Sequence, residues 1–345
     1  MSRATVALLV VTALPVLAWA AGDGAKARIV ELRKIWDKAP HNAFTDLVRF
    51  KGRWLCVFRE GAGHVSHDGK LRVITSADGR EWTSAALLKS PSTLPDLRDA
   101  KITVTPGGQL MLMGAAACRK PGKTGLQTYA WFSSDGKRWG EPVAVGDPGI
   151  WLWRVTWHKG KAYGIGYGKV DVRLIRLYRS DDGRKFDTLV KRLFDVGYPN
   201  ETSLVFLDDG ACYCLLRRDG RPNTAMLGLA RPPYDKAKWT WKDLGKRIGG
   251  PCMIRLPDGR FLAAGRRYDG RVRTSLMWLD PKEATLREFL KLPSGGDTSY
   301  PGLVLHEGLL WVSYYASHEG KTSIYLAKVK LPAKPAPGQT SGPRP

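Results

Sequence analysis

The sequence predicts an all-β protein, a six-bladed β-propeller with four antiparallel strands in each blade. One hairpin pattern, two apolar runs joined by a turn that contains glycine, occurs six times along the 345 residues. The turn glycines are 49 to 56 residues apart, which is the period of a propeller blade and not of a helical solenoid. They are Gly52, Gly108, Gly160, Gly210, Gly259 and Gly308.

The fourth hairpin shows the pattern most clearly. The turn Asp208-Asp209-Gly210 separates the apolar runs Thr202–Leu207 and Cys212–Leu216, as in a β-hairpin. Glu201 precedes the first strand and Arg217 follows the second. Because antiparallel strands run in opposite directions, these two residues lie at the same end of the hairpin. The fold therefore brings a carboxylate and a guanidinium to one rim.

The N-terminal strand has no hairpin partner of its own. Ala27–Lys38 reads as a strand, while the sixth repeat has only Ser323–Val329 after its hairpin. We expect the N-terminal strand to be the outer strand of the last blade, which closes the ring and removes a sheet edge.

Both ends of the chain have the composition of segments outside the propeller. Residues 1–20 read as a secretory signal, with Arg3, an apolar core over Ala4–Val16 and cleavage after Ala20. This predicts a secreted or periplasmic protein without stable membrane insertion after cleavage. We expect the propeller domain over 21–330 and a disordered Pro-rich tail over 331–345.

The net charge and its distribution along the chain restrict the classes of binding partner. The net charge of +23 favours an anionic ligand. Lysine and arginine are scattered over turns, without a basic helix or an aromatic-basic strand motif, so we expect no nucleic-acid partner.

The five cysteines have no zinc-site spacing and are expected to be buried hydrophobes. The pair His64 and His67 has side chains that could bind a metal, but a pair on a surface loop without a third ligand is expected to be solvated. We predict a monomer without metal or cofactor.

A short motif follows the third strand of each of the first three repeats. Its copies are Ser76–Trp82, Ser133–Trp139 and Ser180–Phe186. The serine and aspartate side chains are expected to bind local backbone, the glycine to adopt a positive φ, and the aromatic residue to pack back under the blade. The motif is predicted to be structural.

Register brings charged residues from several blades to one rim. Seven residues after the turn glycine, three of the six repeats have arginine: Arg59, Arg217 and Arg266. Clustered guanidinium groups are costly to hold together without an anion, and a ligand carboxylate would bind them through paired hydrogen bonds. The alternative is that these arginines only pair with carboxylates of the protein.

Further candidates stand before the turn glycines. Asp99 and Glu201 lie nine residues ahead of theirs, Tyr300 lies eight ahead, and Asp46 and Arg154 lie six ahead. We expect all of them on the same face of the ring. Trp153 could stack on a sugar face or pack in the core.

The Ser-x-Asp-Gly-x-x-Trp repeats resemble the Asp-boxes of the sialidase (neuraminidase) superfamily, although each is one residue shorter than the commonest form. The likeness covers about residues 27–330. It implies six blades, an arginine triad for the substrate carboxylate, a tyrosine nucleophile with a glutamate partner, and an aspartic acid that protonates the leaving group. By position, Tyr300 and Glu201 resemble the tyrosine–glutamate pair. Two triad arginines correspond to Arg217 or Arg218 and to Arg266 or Arg267.

The sequence departs from that superfamily in the first blade. The stretch that corresponds to Phe-Arg-Ile-Pro is Asn42-Ala-Phe44-Thr-Asp46, which has no arginine. Arg59, across the same hairpin, is the candidate substitute. For the acid, the resemblance points to Asp68 in the loop after the first hairpin, and Asp99 is the alternative.

These patterns lead to one hypothesis and two rivals. The hypothesis is a secreted exo-glycosidase that acts on a carboxylate-bearing sugar at the end of a glycan. One rival is a polysaccharide lyase for uronate-containing glycans, in which Tyr300 or His64 removes the α-proton. The other rival is a non-catalytic glycan-binding propeller.

Overall fold

The strands form six antiparallel sheets of four in a computed structural model that describes residues 26–120, 123–168 and 172–334. The first strands of neighbouring blades contact each other and form the inner wall of the ring. Residues 27–331 belong to one compact unit. The predicted fold class, a six-bladed β-propeller with four-stranded blades, is confirmed.

The strands are numbered in chain order. Blade one contains β2 (His41–Phe50), β3 (Arg53–Gly61), β4 (Lys70–Ser76) and β5 (Thr83–Leu88). Blade two contains β6 (Asp96–Val104), β7 (Leu110–Lys120), β8 (Lys123–Ser133) and β9 (Val143–Val145). Blade three contains β10 (Ile150–His158), β11 (Lys161–Gly168), β12 (Ile175–Ser180) and β13 (Asp187–Phe194).

The second half of the ring repeats this order. Blade four contains β14 (Pro199–Phe206), β15 (Cys212–Arg218), β16 (Met226–Ala230) and β17 (Thr240–Asp243), with a 3₁₀ turn at Lys236–Lys238. Blade five contains β18 (Ile248–Arg255), β19 (Phe261–Arg267), β20 (Arg273–Asp280) and β21 (Thr285–Lys291). Blade six contains β22 (Thr298–His306), β23 (Leu309–Ala316), β24 (Ser323–Lys330) and β1 (Arg28–Trp36).

The ring closes as predicted. Strand β1 pairs antiparallel with β24, from Arg28 opposite Lys330 to Trp36 opposite Ile324. The ammonium of Lys328 lies 2.8 Å from a carboxylate oxygen of Glu31 across this pair. One blade is therefore built from both ends of the folded segment.

The repeated turn motif has the predicted local structure. In the first copy, the Ser76 hydroxyl accepts from the Gly79 N–H at 2.7 Å, and Asp78 accepts from the Arg80 N–H at 2.8 Å. The φ of Gly79 is 76°, a conformation that glycine adopts without a steric penalty. The Trp82 ring packs against a buried cluster. Backbone N–H groups, that of Arg80 first, lower the pKa of Asp78 to about 2.

A bulge interrupts each inner hairpin at the same level. Register shifts occur after Ala43, Arg98, Leu152, Pro199, Gly249 and Ser299. In four blades the next residue has a φ between 51° and 65°: Phe44, Asp99, Gly250 and Tyr300. Bulges re-aim side chains and are frequent beside active sites. Asp99 lies nine residues and Tyr300 eight residues ahead of the turn glycine, yet the strand pairing places both at the same position of the bulge, because the turns differ in length.

The remaining predictions fall partly outside the described residues. The predicted signal peptide at 1–20 lies outside them, as does the predicted tail from residue 335 onwards. Residues 331–334 form no strand. No helix in the described part of the chain has the length and apolar character needed to cross a membrane. All five cysteines are buried and unpaired with one another, as expected.

Candidate active site

Tyr300 and Glu201 meet where the inner strands begin, at one end of the central channel. The Tyr300 hydroxyl donates to Glu201 Oε1 at 2.5 Å. The other carboxylate oxygen of Glu201 accepts from Arg217 Nη1 at 2.7 Å and from the Gly250 N–H at 3.0 Å. Blades four, five and six thus meet at one carboxylate. We call this end of the channel the cup.

The charges in the cup fix the protonation states of the pair. Burial, reinforced by the charge of Glu201, raises the pKa of Tyr300 well above its usual range. Burial also acts to raise the pKa of Glu201, but the Arg217 guanidinium, together with hydrogen bonds from Tyr300 and the Gly250 N–H, outweighs it and the pKa lies below the usual range. At neutral pH a neutral phenol therefore donates to an ionised carboxylate. Tyr300 as a whole residue retains 8% exposure.

Aromatic rings hold Tyr300 on the channel side. The Phe44 and Trp153 ring centroids lie 5.1 Å and 5.5 Å from the Tyr300 centroid. Trp153 is 1% exposed, so it packs beneath Tyr300 and offers no free face to a sugar. Lys101, which the sequence did not single out, places its ammonium 5.4 Å from the Tyr300 ring and donates to the Thr45 carbonyl. Burial first, and then the charge of Arg154, lower the pKa of Lys101 to about 8.

Two arginines face the cup, and their sequence neighbours do not. Arg217 Nη1 lies 3.4 Å from the Tyr300 hydroxyl, in addition to its bond with Glu201. Arg266 donates to the Thr298 carbonyl at 2.6 Å and to the Tyr315 hydroxyl at 3.0 Å. Arg218 instead binds Asp243, and Arg267 binds Asp269. The geometry thus separates Arg217 and Arg266 from the alternatives Arg218 and Arg267.

Arg59 does not enter the cup. Its guanidinium is fully buried and donates to Asp96 at 2.8 Å and to the Gly63 carbonyl at 2.8 Å. For Arg59, the structure therefore agrees with the alternative given above, in which the arginine pairs only with a carboxylate of the protein. Arg98, which sequence analysis missed, lies closer to the cup, with its guanidinium 5.0 Å from the Phe44 ring centroid.

Arg154 and Asp46 lie farther along the channel. Their side chains are 3.4 Å apart, and Asp46 also accepts from the Ile102 N–H. Both line a cavity of about 540 Å³ at the end where the inner strands finish. The structure therefore does not place them with Tyr300 at the open end of the cup, contrary to the expectation of a single shared face.

The two aspartates considered as acids have opposite environments. Asp99 is 5% exposed, and its Oδ1 has no hydrogen-bond partner among the described residues. Burial raises the pKa of Asp99. Asp68 is exposed and accepts from the Ala62 N–H at 3.1 Å. Burial alone would raise the pKa of Asp68, but hydrogen bonds from Ser66 and the Ala62 N–H hold it below the usual range.

A second carboxylate at the cup was not anticipated. Asp297 accepts from His41 Nε2 at 2.9 Å, from His64 Nδ1 at 2.6 Å and from the Tyr315 hydroxyl at 2.9 Å. Burial acts to raise the pKa of Asp297, but the two histidines together with the hydrogen bond from Tyr315 outweigh it, and the pKa lies well below the usual range. The sequence position of Asp297, three residues before Tyr300 and next to the start of an inner strand, could have indicated that it lies at the cup.

These features define the class of protein: a six-bladed β-propeller with a candidate active site at one end of its channel. No protein-family model matches the chain, and no curated protein matches it. Solved structures do. A Dyadobacter fermentans protein of unknown function is 21% identical, with a TM-score of 0.76 over 88% of this chain and 99% of that one.

Two enzymes with known ligands share the fold. The Penicillium chrysogenum α-L-arabinanase, solved with arabinobiose, is 14% identical, with a TM-score of 0.65 over 89% of this chain and 99% of that one. The Trypanosoma rangeli sialidase, solved with the inhibitor DANA, is 13% identical, with a TM-score of 0.63 over 84% of this chain and 55% of that one. The resemblance to sialidase propellers is confirmed at the level of the fold.

Proposed function

We propose that this chain is an exo-acting glycoside hydrolase that releases a carboxylate-bearing sugar from the end of a glycan. The observation that carries the proposal is the bond from the Tyr300 hydroxyl to Glu201 Oε1 at the cup. The arabinanase and the sialidase that share the fold are both glycosidases by name, which supports a reaction of this class. The signal expected at residues 1–20 would deliver the enzyme to a periplasm or beyond.

Tyr300 is the nucleophile in this mechanism. Glu201 takes the phenolic proton as the Tyr300 oxygen bonds to the anomeric carbon, because bases activate weak hydroxyl nucleophiles in this way. An acid protonates the leaving oxygen, and the glycan departs as an alcohol. Water then attacks the anomeric carbon, and Tyr300 recovers its proton from Glu201. A neutral phenol suits an anomeric centre beside a carboxylate, which would repel an ionised nucleophile.

Arg217 and Arg266 recognise the sugar carboxylate. Both guanidinium groups are largely buried beside Tyr300, where hydrogen bonds between charged groups are stronger than in water. Each guanidinium has five N–H donors, and the bonds of Arg266 to Thr298 and Tyr315 leave other donors for a ligand. The floor of the cup is therefore suited to an anion held next to the nucleophile.

A substrate panel tests this proposal. Purified protein is incubated with 4-methylumbelliferyl sialosides, glucuronides and arabinofuranosides, and fluorophore release is measured beside the absorbance of unsaturated sugar products. We expect release from a carboxylate-bearing glycoside. Release from the arabinofuranoside alone would contradict the anionic specificity. Unsaturated product would support the lyase, and binding without turnover would support the glycan-binding propeller.

A further inference from the structure

A short loop of blade one reaches over the cup and carries a histidine. Residues 62–69, here called the His64 loop, connect β3 to β4. The His64 side chain is 48% exposed and its Nδ1 lies 2.6 Å from Asp297 Oδ2. Its ring meets the Phe44 ring edge-on at 5.1 Å between centroids, and Phe44 in turn contacts Tyr300. His64 therefore stands at the mouth of the cup, above the floor that holds the nucleophile.

Asp297 fixes which nitrogen of His64 faces outward. An ionised carboxylate only accepts hydrogen bonds, so His64 Nδ1 carries the proton in this contact. Within the described residues, His64 Nε2 has no hydrogen-bond partner. A histidine held at one nitrogen by a carboxylate, with the other nitrogen free, has the arrangement of a general acid and base.

Two buried arginines immobilise the backbone of this loop. Arg59 donates to the carbonyls of Gly63 at 2.8 Å and Ser66 at 3.3 Å. Arg98 donates to the carbonyl of His64 itself at 2.8 Å. Asp96 binds both guanidinium groups. The position of Arg59 is thus explained by the loop, which it holds against the rim.

His64, Asp99 and Asp68 are the candidates for the acid that protonates the leaving oxygen, and their depth in the cup distinguishes them. A sugar carboxylate bound by Arg217 and Arg266 places the sugar on the floor, and the leaving oxygen then points towards solvent. Asp99 is almost fully buried at the floor, whereas His64 is half exposed at the mouth. Asp68 is bound to backbone of its own loop and its pKa is lowered, which disfavours a proton donor.

The same cluster contains side chains that bind metals, but its surroundings are cationic. His41, His64 and Asp297 have ligand atoms within 4.8 Å of one another. The Arg266 guanidinium lies 3.5 Å from Asp297 Oδ1, and Arg98 binds the His64 carbonyl. One fixed positive charge beside the carboxylate and a second at the backbone of the loop oppose a divalent cation and favour proton transfer.

We propose that His64 is the general acid and base of the glycosidase reaction and that Asp297 positions it; this inference rests on the proposed function. In the first step, protonated His64 gives its Nε2 proton to the glycosidic oxygen while the bond to the anomeric carbon breaks and the bond to Tyr300 forms. In the second step, neutral His64 takes a proton from the attacking water as the bond to Tyr300 breaks. The histidine ends protonated, and the sum is hydrolysis.

The test compares leaving groups. His64→Gln is assayed on the 4-nitrophenyl and the methyl glycoside of the sugar that the wild-type protein releases. An acid matters most when the leaving group is poor, so we expect kcat/KM on the methyl glycoside to fall about 100- to 1,000-fold and on the aryl glycoside less than about tenfold. Azide should raise kcat of the variant on the aryl glycoside and yield glycosyl azide.

Matched variants complete the experiment. His67→Gln, the same substitution three residues along the same loop, should behave as wild type. Asp297→Asn should show the same dependence on the leaving group as His64→Gln, only weaker.

Several results would overturn the inference. An equal loss on both glycosides would mean that His64 only binds substrate. The leaving-group signature in Asp68→Asn or Asp99→Asn, and its absence in His64→Gln, would move the acid to that aspartate. Inactivation by EDTA with recovery on zinc would identify a cation site. A wild-type protein that releases fluorophore from no carboxylate-bearing glycoside of the substrate panel would instead refute the proposed function itself.

Discussion

Tyr300 and Asp99 occupy the same position in different blades. Each follows the last regular pair before the bulge of its inner strand, and their φ angles are 51° and 56°. Residues other than glycine rarely adopt such angles, and they persist where the surrounding structure enforces them, often at functional sites. One backbone feature, repeated around the ring, therefore directs a phenol and a carboxyl into the same cup.

Removing the Tyr300 hydroxyl should abolish turnover without unfolding the chain. Tyr300→Phe loses one hydrogen bond to Glu201, while the ring keeps its contacts with Phe44 and Trp153. We expect kcat to fall at least about 1,000-fold, since the hydroxyl is the proposed nucleophile. Steady-state kinetics and circular dichroism check this. Tyr213→Phe, whose ring packs on Phe261, is the matched control, and full activity in Tyr300→Phe would refute the assignment.

Neighbouring arginines in blade five should have different roles. Arg266→Met removes charged hydrogen bonds to the substrate, worth about 1.5–3 kcal/mol, so kcat/KM should fall about ten- to a hundredfold. Arg267→Met removes the partner of Asp269 on the other side of the strand. It should lower the melting temperature and leave kcat/KM within about threefold of wild type. Equal kinetic losses in both variants would contradict this division.

Two glycines of the His64 loop provide a steric test. A Cβ at Gly69 would lie 2.1 Å from Asp96 Oδ1 and 2.6 Å from Arg59 Nε, whereas a Cβ at Gly63 meets nothing within 4 Å. Gly69→Ala should therefore separate the buried pair that anchors the loop and cost about 1–3 kcal/mol. Gly63→Ala should be neutral within about 0.5 kcal/mol. Chemical denaturation measures both, and equal stabilities would show that the loop is not anchored through Arg59.

Lys101 should make stability depend on alkaline pH. Its pKa is lowered from 10.5 to about 8, chiefly by burial. Below pH 8 the folded protein bears the whole cost of a buried ammonium. Between pH 8 and 10.5 the folded chain has lost this proton and the unfolded chain keeps it, so stability rises with pH. Above 10.5 the cost is gone.

Lys101→Met isolates this contribution. Relative to the variant, wild-type stability should increase by roughly 3 kcal/mol from pH 7 to pH 10.5, at about 1.4 kcal/mol for each unit of pKa shift. Urea denaturation of both proteins at the two pH values measures the difference. A difference that stays constant with pH would mean that the ammonium is not destabilised by burial.

Local sequence patterns were sufficient to predict the ring of blades. Contacts between residues far apart in the sequence limited how much of the candidate site could be predicted. The repeat of hairpins and the unpaired N-terminal strand were sufficient for six blades and their closure. Glu201 and Arg217 were predicted to meet because they flank one hairpin. The contact of His64 with Asp297 joins blade one to the strand entering blade six, 233 residues away, and no local pattern encodes it.

Bulges explain the ambiguities that remained. Adjacent arginines alternate between the two faces of a strand, and an extra residue in the partner strand changes which of them faces the cup. The sequence therefore left Arg217 and Arg218 unresolved, and likewise Arg266 and Arg267. Arg59 was misplaced for a different reason, because its carboxylate partner Asp96 belongs to the next blade.

The pairing of β1 with β24 has a consequence for biogenesis. The last sheet lacks its outer strand until residues near 330 pair with residues near 28. The ring therefore cannot close before nearly the whole chain has been synthesised. Until then the sixth sheet has at most three of its four strands. Late closure of the ring delays complete folding, which is useful for any chain that must cross a membrane in the unfolded state.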